Sequence, residues 1–387
     1  MGFKRNYGRS MKPAALVISR NLPPLVGGME RLVWHVVDAL MQDYRVHVIG
    51  PEGCAAHLPT GVTVSEISIK PLWWFFARAK GAAIVQAIRL RPNLIFAGSG
   101  LTAPFAWLAA RLTRAKCVVY LHGLDIEAQN RVYRLLWLPF FKYFDRVLVN
   151  SRFTQALALE AGVLANRIQI VHPGVELPDL SLANDYRRDF RARYQLRDGP
   201  VLLYAGRITE RKGLLPFVQY ILPNILSAKP NVRLVVIGDE PRWALRQENS
   251  QCAQIQKALI DQGSINSVQF LGNSSDEELS AAYFAADVLI FPVQQKTGDS
   301  EGFGMVAIEA AAHGLPTVAF DAGGVGDAVS DGASGLLIPA GNNAAFTAAV
   351  LELLDHPLPS EKSQTFAAQF AWAQFNQKLQ QHPQNSS

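Results

Sequence analysis

Two glutamates, Glu301 and Glu309, stand eight residues apart on either side of Gly302 and Gly304. The apolar run after Gly304 predicts a helix, with Glu301 just before its N-terminus and Glu309 about 7 Å along it. Exposed N–H groups at such a helix start attract anions. A carboxylate in front of them suits sugar hydroxyls better than phosphate. An ordinary acidic loop with a surface helix residue is the alternative interpretation.

A basic loop follows the strand predicted over 201–205. It runs from Gly206 to Gly213 and carries Arg207, Arg211 and Lys212. Its spacing does not match the GxxxxGK[ST] phosphate loop. It would still place two or three cations at the carboxyl end of a strand, where they suit a diphosphate without a metal. A solvated basic turn is the alternative.

The first half of the chain offers a histidine and a glycine pair. His122 ends the strand predicted over 116–121, and its imidazole suits hydrogen bonding to a sugar or acid–base work. A histidine with a purely structural role is the alternative. Gly27 and Gly28 place bare backbone after the first strand, although the GxGxxG spacing is missing. A tight turn would explain them equally well.

These residues lie at the ends of an alternating series of strands and helices. The pattern predicts an α/β chain of two doubly wound domains, joined by a linker that runs from Pro173 to Asp185. The predicted parts are a flexible basic leader over 1–13, a first domain over 14–178, a second domain over 186–358, a C-terminal helix over 360–380 that returns to the first domain, and a disordered tail from 382.

The composition agrees with two soluble or membrane-associated domains. A length of 387 residues with 49% hydrophobic residues suits two cores. The three cysteines are far apart, which argues against disulfides and zinc. Residues 1–180 carry 21 − 11 = +10 charges and the remainder 16 − 21 = −5. The basic half predicts an anionic partner, and no nucleic-acid-binding motif is present, so we expect no nucleic acid.

Four consecutive aromatic residues begin a predicted helix: Trp73, Trp74, Phe75 and Phe76. One core face of a helix cannot bury all four. With Lys80 and the neighbouring Lys70, Arg78, Arg89 and Arg91, they predict an interfacial anchor on an anionic membrane. Packing beneath a neighbouring loop is the alternative. A second basic and aromatic segment, predicted as a helix over 130–143, is expected to be half core and half surface. No run of residues matches a secretory signal or a membrane span.

Together the glycine pair, His122-Gly123, Gly206-Arg207 through Lys212-Gly213, and Glu301 to Glu309 resemble the motifs of retaining GT-B glycosyltransferases of family 4. This large family includes bacterial mannosyltransferases and glucosyltransferases. The resemblance extends from about residue 14 to 380. It implies two Rossmann-like domains facing across a deep cleft, with the acceptor bound by the domain over 14–178 and the nucleotide sugar by the domain over 186–358.

The resemblance also implies roles for single residues. Arg207 and Lys212 would bind the donor diphosphate, and Glu301 the sugar near its anomeric carbon. His122 would contact the sugar and stabilise positive charge in the transition state. The further donor-binding positions would be Gly27, Gly28, Phe270, Gly302, Phe303, Gly304 and Glu309, the last gripping the ribose.

The implied activity is metal-independent transfer of a hexose, with retention, from a nucleotide diphosphate sugar to a lipid-linked or glycan hydroxyl. GDP-mannose is favoured slightly over UDP-sugars, and no cofactor is expected. The enzyme would be cytoplasmic, peripheral on the inner face of the membrane, and would serve envelope polysaccharide or glycolipid synthesis. Front-face attack would explain the lack of an obvious nucleophile, while a covalent route through a carboxylate stays open. Alternatives are a GT-B epimerase or phosphorylase and a catalytically silent sugar-binding scaffold.

Overall fold

A computed structural model describes residues 12–196, 199–240 and 250–381. The chain divides into two compact units. The first contains residues up to Val149, Gln155–Val171 and the segment from Asn376. The second contains Asn150–Thr154 and His172–Phe375. All but the last two residues of the predicted leader, the predicted tail and the predicted helix start at Arg242 lie outside the described residues.

The first unit is built on a parallel seven-stranded sheet in the order β3-β2-β1-β4-β5-β6-β7. Its strands are Ala14–Ile18 (β1), Arg45–Pro51 (β2), Thr63–Ile67 (β3), Leu94–Ala97 (β4), Lys116–Leu121 (β5), Arg146–Val149 (β6) and Ile168–Ile170 (β7). Its helices are Gly28–Met41 (α1), Leu72–Leu90 (α2), Ala103–Thr113 (α3), Leu124–Glu127 (α4) and Arg131–Leu136 (α5), with Arg152–Glu160 (α6) entering from the second unit.

The second unit holds a parallel six-stranded sheet in the order β10-β9-β8-β11-β12-β13. Its strands are Val201–Ala205 (β8), Arg233–Ile237 (β9), Val268–Gly272 (β10), Val288–Phe291 (β11), Thr317–Asp321 (β12) and Gly335–Pro339 (β13). Its helices are Ala183–Arg193 (α7), Leu214–Pro216 (α8), Leu222–Ala228 (α9), Gln251–Asp261 (α10), Asp276–Ala285 (α11), Met305–Ala312 (α12), Val325–Ala328 (α13), Asn343–Asp355 (α14) and Ser360–Ala368 (α15). The last helix, Trp372–Gln380 (α16), begins in the second unit and ends in the first.

The central strands are buried on both faces, as parallel sheets covered by helices require. All five residues of β1 and all five of β8 are buried. This explains why each reads as a continuous apolar run. Both units are therefore Rossmann-like, and the predicted α/β fold of the GT-B class is confirmed.

Two predicted helices are wrong in their extent. The helix predicted over 130–143 is α5 followed by a 3₁₀ turn over Leu138–Tyr143, with Pro139 in its first turn. Proline lacks the N–H that an α-helix needs at this point. The C-terminal helix predicted over 360–380 is split between α15 and α16. The N–H of Val175 donates to the carbonyl of Phe370 at 2.8 Å, and the chain turns there.

Candidate functional site

The sheet of the second unit reverses its strand order between β8 and β11. From β8 the chain builds outward to edge strand β10, and from β11 it builds the other way to β13. The loop after β8 spans 206–213, and the loop after β11 spans 292–304. Open parallel sheets bind ligands at the carboxyl ends of strands beside such a reversal. The two predicted motifs of the second half therefore meet at one candidate site.

Backbone contacts fasten these two loops together. The N–H of Gln294 donates to the carbonyl of Arg211 at 2.8 Å. Gly213 has a φ of +73°, and a Cβ there would lie 1.8 Å from the carbonyl oxygen of Pro292. Only glycine permits both the conformation and the approach. The glycine that ends the basic loop is thus explained by close packing of backbone on backbone.

A charge cluster joins the loops. The Arg211 guanidinium donates from Nη1 to Oε2 of Glu301, and its Nε lies 3.0 Å from the Asp299 carboxylate. The Lys212 Nζ lies 2.9 Å from the same Glu301 oxygen. The side chains of Arg211, Lys212 and Glu301 are only 9%, 11% and 13% exposed. Water therefore screens these charges weakly, and their attraction is strong.

The charge cluster also determines the protonation states of Glu301 and Lys212. Burial alone would raise the pKa of the Glu301 carboxyl, but Lys212 and Arg211 more than offset it and hold that pKa below its ordinary value. Burial, helped by repulsion from Arg211, lowers the pKa of the Lys212 ammonium despite its pairing with Glu301. At neutral pH Glu301 is therefore an ionised carboxylate that is paired with two neighbouring cations, Arg211 and Lys212.

Three polar groups of the site have no partner among the described residues. The Arg207 side chain is exposed and makes no ion pair there. The buried Thr209 hydroxyl has no hydrogen-bond partner. Both cations contact Oε2 of Glu301, and Oε1 has no hydrogen bond or ion pair among the described residues. Guanidinium and hydroxyl groups suit a phosphate, and a carboxylate oxygen suits a sugar hydroxyl.

Glycines shape the helix start behind Glu301. Gly304 has a φ of +100°, and a Cβ there would lie 2.8 Å from Cε1 of Phe291. The N–H of Gly324 donates to the Glu301 carbonyl at 2.7 Å, and a Cβ on Gly324 would lie 2.0 Å from the Gly302 carbonyl oxygen. The backbone of Gly302 to Gly304 is therefore held in place, and the first N–H groups of α12 lack acceptors within the helix.

Phe303 and Phe270 can offer backbone rather than rings to a ligand. The Phe303 side chain is buried and stacks on His172, with ring centroids 5.2 Å apart. The Phe270 ring packs against the core of the second unit. Its strand, β10, is an edge of the described sheet, so one side of its backbone is not paired within the sheet. Both positions are therefore compatible with donor binding through backbone groups.

Glu309 is positioned by two residues that we did not predict. The Tyr283 hydroxyl donates to its Oε2 at 2.9 Å. Nδ1 of His313 lies 2.7 Å from the Glu309 carbonyl oxygen, while Nε2 lies 2.7 Å from the Ser280 hydroxyl. Burial lowers the pKa of His313 to about 4, so the ring is neutral and Nδ1 carries the proton.

In the first unit, His122 ends β5 with a buried ring. Its Nε2 lies 2.9 Å from the carbonyl oxygen of Gly98 and donates to it. Its backbone N–H donates to the Asp125 carboxylate at 3.0 Å, and its ring lies 4.9 Å from that of Tyr120. These contacts fix the ring at the carboxyl edge of the first sheet. Its contact with a sugar stays a prediction.

Gly27 and Gly28 lie at the same edge, after β1. Both are exposed, and α1 begins at Gly28. The Asn21 amide donates to the Glu30 carboxylate at 2.9 Å beneath them, and a Cβ on Gly27 would lie 2.5 Å from that carboxylate. The bare backbone is present as predicted, but in the first unit, while the other donor-binding candidates lie in the second.

The four aromatic residues at the start of α2 differ in their exposure to solvent. Trp73 is 67% exposed and Trp74 43% exposed, while Phe76 is half-buried. Phe75 is 1% exposed, which makes its predicted place on an acceptor or membrane surface wrong. It begins the buried stripe that continues at Ala79, Ala83 and Ala87.

The basic residues of and next to α2 differ in their distance from the exposed tryptophans. Lys80 is exposed in the middle of this 19-residue helix, about 10 Å from Trp73 along the helix axis. Arg89 lies in the last turn and Arg91 directly after it, about 24 and 27 Å from Trp73 along the same axis, so they do not belong to the surface around Trp73. In the part of the chain that the structure describes, no helix is both long and apolar enough to cross a membrane.

Sequence reasoning missed three contributors to the site. Arg211 stood among the predicted cations, but it was not selected as a site residue. Asp299 was not recognised as a site residue, because its contact with Arg211 joins residues 88 positions apart in the chain. Tyr283 lies on α11 in an apolar run that gives no signal of a role. The Gly323-Gly324 pair could have indicated close backbone packing, which the structure shows against Glu301 and Gly302.

Comparison with known proteins covers both units. The sequence profile of Glycosyltransferase Family 4 matches residues 26–178, and that of Glycosyl transferases group 1 matches residues 199–356. The second match includes the charge cluster and both glutamates. The first includes His122 and the glycine pair.

Two curated relatives and one solved structure illustrate the similarity. A GDP-mannose-dependent alpha-(1-6)-phosphatidylinositol monomannoside mannosyltransferase from Mycolicibacterium smegmatis is 26% identical over 354 residues, covering 88% of this chain and 89% of the relative. A D-inositol 3-phosphate glycosyltransferase from Mycobacteroides abscessus is 33% identical over 59% of this chain, which spans about half (49%) of that relative's length. The crystal structure of Anabaena HepE with UDP superposes with a TM-score of 0.76 at 21% identity, covering 94% of this chain and 98% of that one.

Proposed function

Because this chain belongs to glycosyltransferase family 4 and has the GT-B fold, we propose that it transfers a hexose from a nucleotide diphosphate sugar to a hydroxyl of a lipid-linked or glycan acceptor. The family makes the chain a glycosyltransferase that uses nucleotide sugars. Donor, acceptor, stereochemistry, metal independence and pathway are the proposed parts.

The observation that carries the donor assignment is the charge cluster at the strand reversal of the second sheet. Arg211 and Lys212 both bind Oε2 of Glu301, while Arg207 is exposed beside them. Arg211 and Lys212 are matched by two carboxylates, Asp299 and Glu301. The third cation of the loop after β8, Arg207, is exposed and makes no ion pair among the described residues, and its guanidinium is suited to a phosphate.

We assign the diphosphate to Arg207, Lys212 and the backbone at the start of α12. The leaving nucleotide diphosphate gains negative charge as the bond between sugar and phosphate breaks. Cations that are already in position stabilise that charge without reorganising. The ribose would bind Glu309, whose carboxylate Tyr283 orients, and the base would meet the backbone around Phe270.

The sugar would bind through Oε1 of Glu301. In this proposal the bond from the anomeric carbon to the phosphate oxygen breaks, and the acceptor oxygen bonds to the same face of that carbon. The acceptor proton passes to the leaving phosphate oxygen. No protein nucleophile is needed, which gives retention. Metal independence follows if Arg207 and Lys212 supply the charge that a divalent ion would otherwise supply.

GDP-mannose is the favoured donor. A relative that matches 88% of this chain is a GDP-mannose-dependent phosphatidylinositol monomannoside mannosyltransferase by name. A lipid-linked acceptor would bring the enzyme to a membrane surface, here the inner face of the cytoplasmic membrane, in envelope or glycolipid synthesis. The exposed Trp73 and Trp74, with Lys80 on the same helix, would contact that surface.

The test is a donor screen followed by transfer. Thermal shift with GDP, UDP and ADP identifies the preferred base. The protein is then incubated, in the presence of EDTA, with a lipid extract and with a sugar conjugate of that nucleotide that is radiolabelled in the sugar. We expect GDP to give the largest shift and label to enter the lipid fraction. Conversion of the sugar nucleotide without any acceptor would indicate an epimerase instead. Binding without turnover under every condition would indicate a silent scaffold.

A further inference from the structure

Helix α5 presents apolar side chains to solvent. None of its six residues, Arg131–Leu136, is buried. Leu135 is 74% exposed and Val132 61% exposed, and Leu136 is also exposed. Single exposed apolar residues are ordinary on a protein surface. Three of them on one short helix form a patch that suits a partner.

This helix is anchored to the protein by aromatic contacts. The Tyr133 ring stacks on Trp137 with centroids 5.8 Å apart, and the Trp137 ring lies 5.3 Å from Phe76 of α2. The Trp137 indole N–H donates to the Leu101 carbonyl at 3.0 Å. The exposed face of α5 is therefore held beside the start of α2, where Trp73 is exposed.

The charges around both segments have one sign. Residues 68–82 contain Lys70, Arg78 and Lys80 and no acidic residue, and residues 129–144 contain Arg131, Arg134 and Lys142 and no acidic residue. All six basic residues are exposed. Apolar side chains surrounded by cations match the interface of an anionic bilayer, where the former enter the acyl boundary and the latter meet headgroups.

The position of the patch also fits a lipid substrate. Both α2 and α5 begin after the carboxyl ends of their strands, β3 and β5. This is the edge of the first sheet that carries His122 and the Gly27-Gly28 backbone. A bilayer docked there would lie at the edge where the family places the acceptor.

We propose that α5 is a second membrane-contacting arm and that, with Leu72, Trp73 and Trp74 of α2, it docks the first unit on an anionic bilayer. The proposal rests on the membrane attachment proposed above and extends it to the segment 130–143, for which the sequence predicted a half-core, half-surface helix and no membrane contact. A second copy of this chain fits the patch less well, because a symmetric contact would bring two basic surfaces together.

The experiment is vesicle sedimentation of the full chain with phosphatidylglycerol–phosphatidylcholine vesicles and with phosphatidylcholine alone. Three proteins are compared: wild type, Val132→Ser/Leu135→Ser on α5, and the matched control Leu164→Ser, an exposed apolar residue outside both segments. We expect the α5 variant to partition at least tenfold more weakly onto anionic vesicles, the control to behave as wild type, and 0.5 M salt to release the wild type.

The outcomes separate the two proposals. Wild type that stays in solution with anionic vesicles would overturn membrane attachment as a whole. Wild type that sediments together with an equally bound α5 variant would overturn the second arm alone. Size-exclusion chromatography with light scattering runs in parallel. A wild-type dimer that becomes monomeric in the α5 variant, with vesicle binding unchanged, would assign the patch to a second copy. Nucleotide thermal shift shows that each variant is folded.

Discussion

Replacing Glu301 with glutamine should strengthen nucleotide diphosphate binding while it weakens catalysis. In the structure the Glu301 carboxylate neutralises Arg211 and Lys212, which are both largely buried. Glutamine keeps the shape and removes the charge. Arg211 then retains Asp299 as a carboxylate partner, and Lys212 loses its ion pair.

The magnitude follows from the cost of an unpaired buried charge. Breaking a buried ion pair by removing one partner costs about 3–5 kcal/mol. This cost falls mainly on Lys212, because Arg211 keeps its contact with Asp299. A diphosphate that enters the site restores the neutralisation and recovers part of that energy. A recovery of about 1.4 kcal/mol corresponds to roughly tenfold tighter binding. Turnover should nevertheless fall at least tenfold, because the sugar loses its carboxylate.

Isothermal titration with the preferred nucleotide diphosphate measures the first effect, and initial transfer rates measure the second. The matched control is Glu210→Gln, which removes an exposed carboxylate of the loop that carries Arg211 and Lys212. This carboxylate pairs with Lys296 at 2.6 Å. The control should change neither affinity nor rate by more than about twofold. Weaker nucleotide binding by Glu301→Gln would refute the competition between Glu301 and the diphosphate. An unchanged transfer rate of Glu301→Gln would refute the proposed contact between Glu301 and the sugar.

Three further predictions concern single residues. Lys212→Ala should lower turnover at saturating donor at least tenfold, and an unchanged initial rate would contradict its role at the diphosphate. Tyr283→Phe removes the hydroxyl that orients Glu309 and should raise the donor KM roughly three- to tenfold with a smaller change in kcat; a loss confined to kcat would argue against a ribose contact. Burial lowers the pKa of His313 to about 4, so between pH 6.5 and 4 the unfolded chain binds more protons and stability falls as pH falls. The Tm of His313→Asn should therefore vary less over that window than the wild-type Tm, and parallel profiles would be the contrary result.

Much of the fold could be predicted because the buried strands are short apolar runs bounded by glycine, proline or charge. Strands β5 and β8 begin and end where the sequence indicated. The helix predictions failed where one local sequence pattern is compatible with two different backbone structures. The segment 130–143 is apolar and basic throughout, but Pro139 changes its helix type. Residues 369–371 form a turn because the chain pairs there with Val175, a contact across the sequence that composition does not reveal.

The candidate site could be predicted in its residue types and less well in its contacts. The resemblance to the family implied that Lys212 and Glu301 serve one ligand, but it did not show that they bind each other in the resting protein. Phe75 was assigned to a surface because four aromatics adjoin. The spacing of Phe75, Ala79, Ala83 and Ala87 by four residues would have indicated a buried helical stripe. Tyr283 reaches Glu309 by tertiary packing, which no local pattern predicts.

The most direct test of the donor site is titration calorimetry of GDP and UDP, in the presence of EDTA, against wild type and an Arg207→Ala/Lys212→Ala double variant. The proposed site predicts that one nucleotide binds the wild type without a metal. It also predicts that the double variant binds that nucleotide at least a hundredfold more weakly while it unfolds at a similar temperature. Equal affinity of the two proteins, or binding that requires a divalent ion, would contradict the claim that these two cations hold the diphosphate.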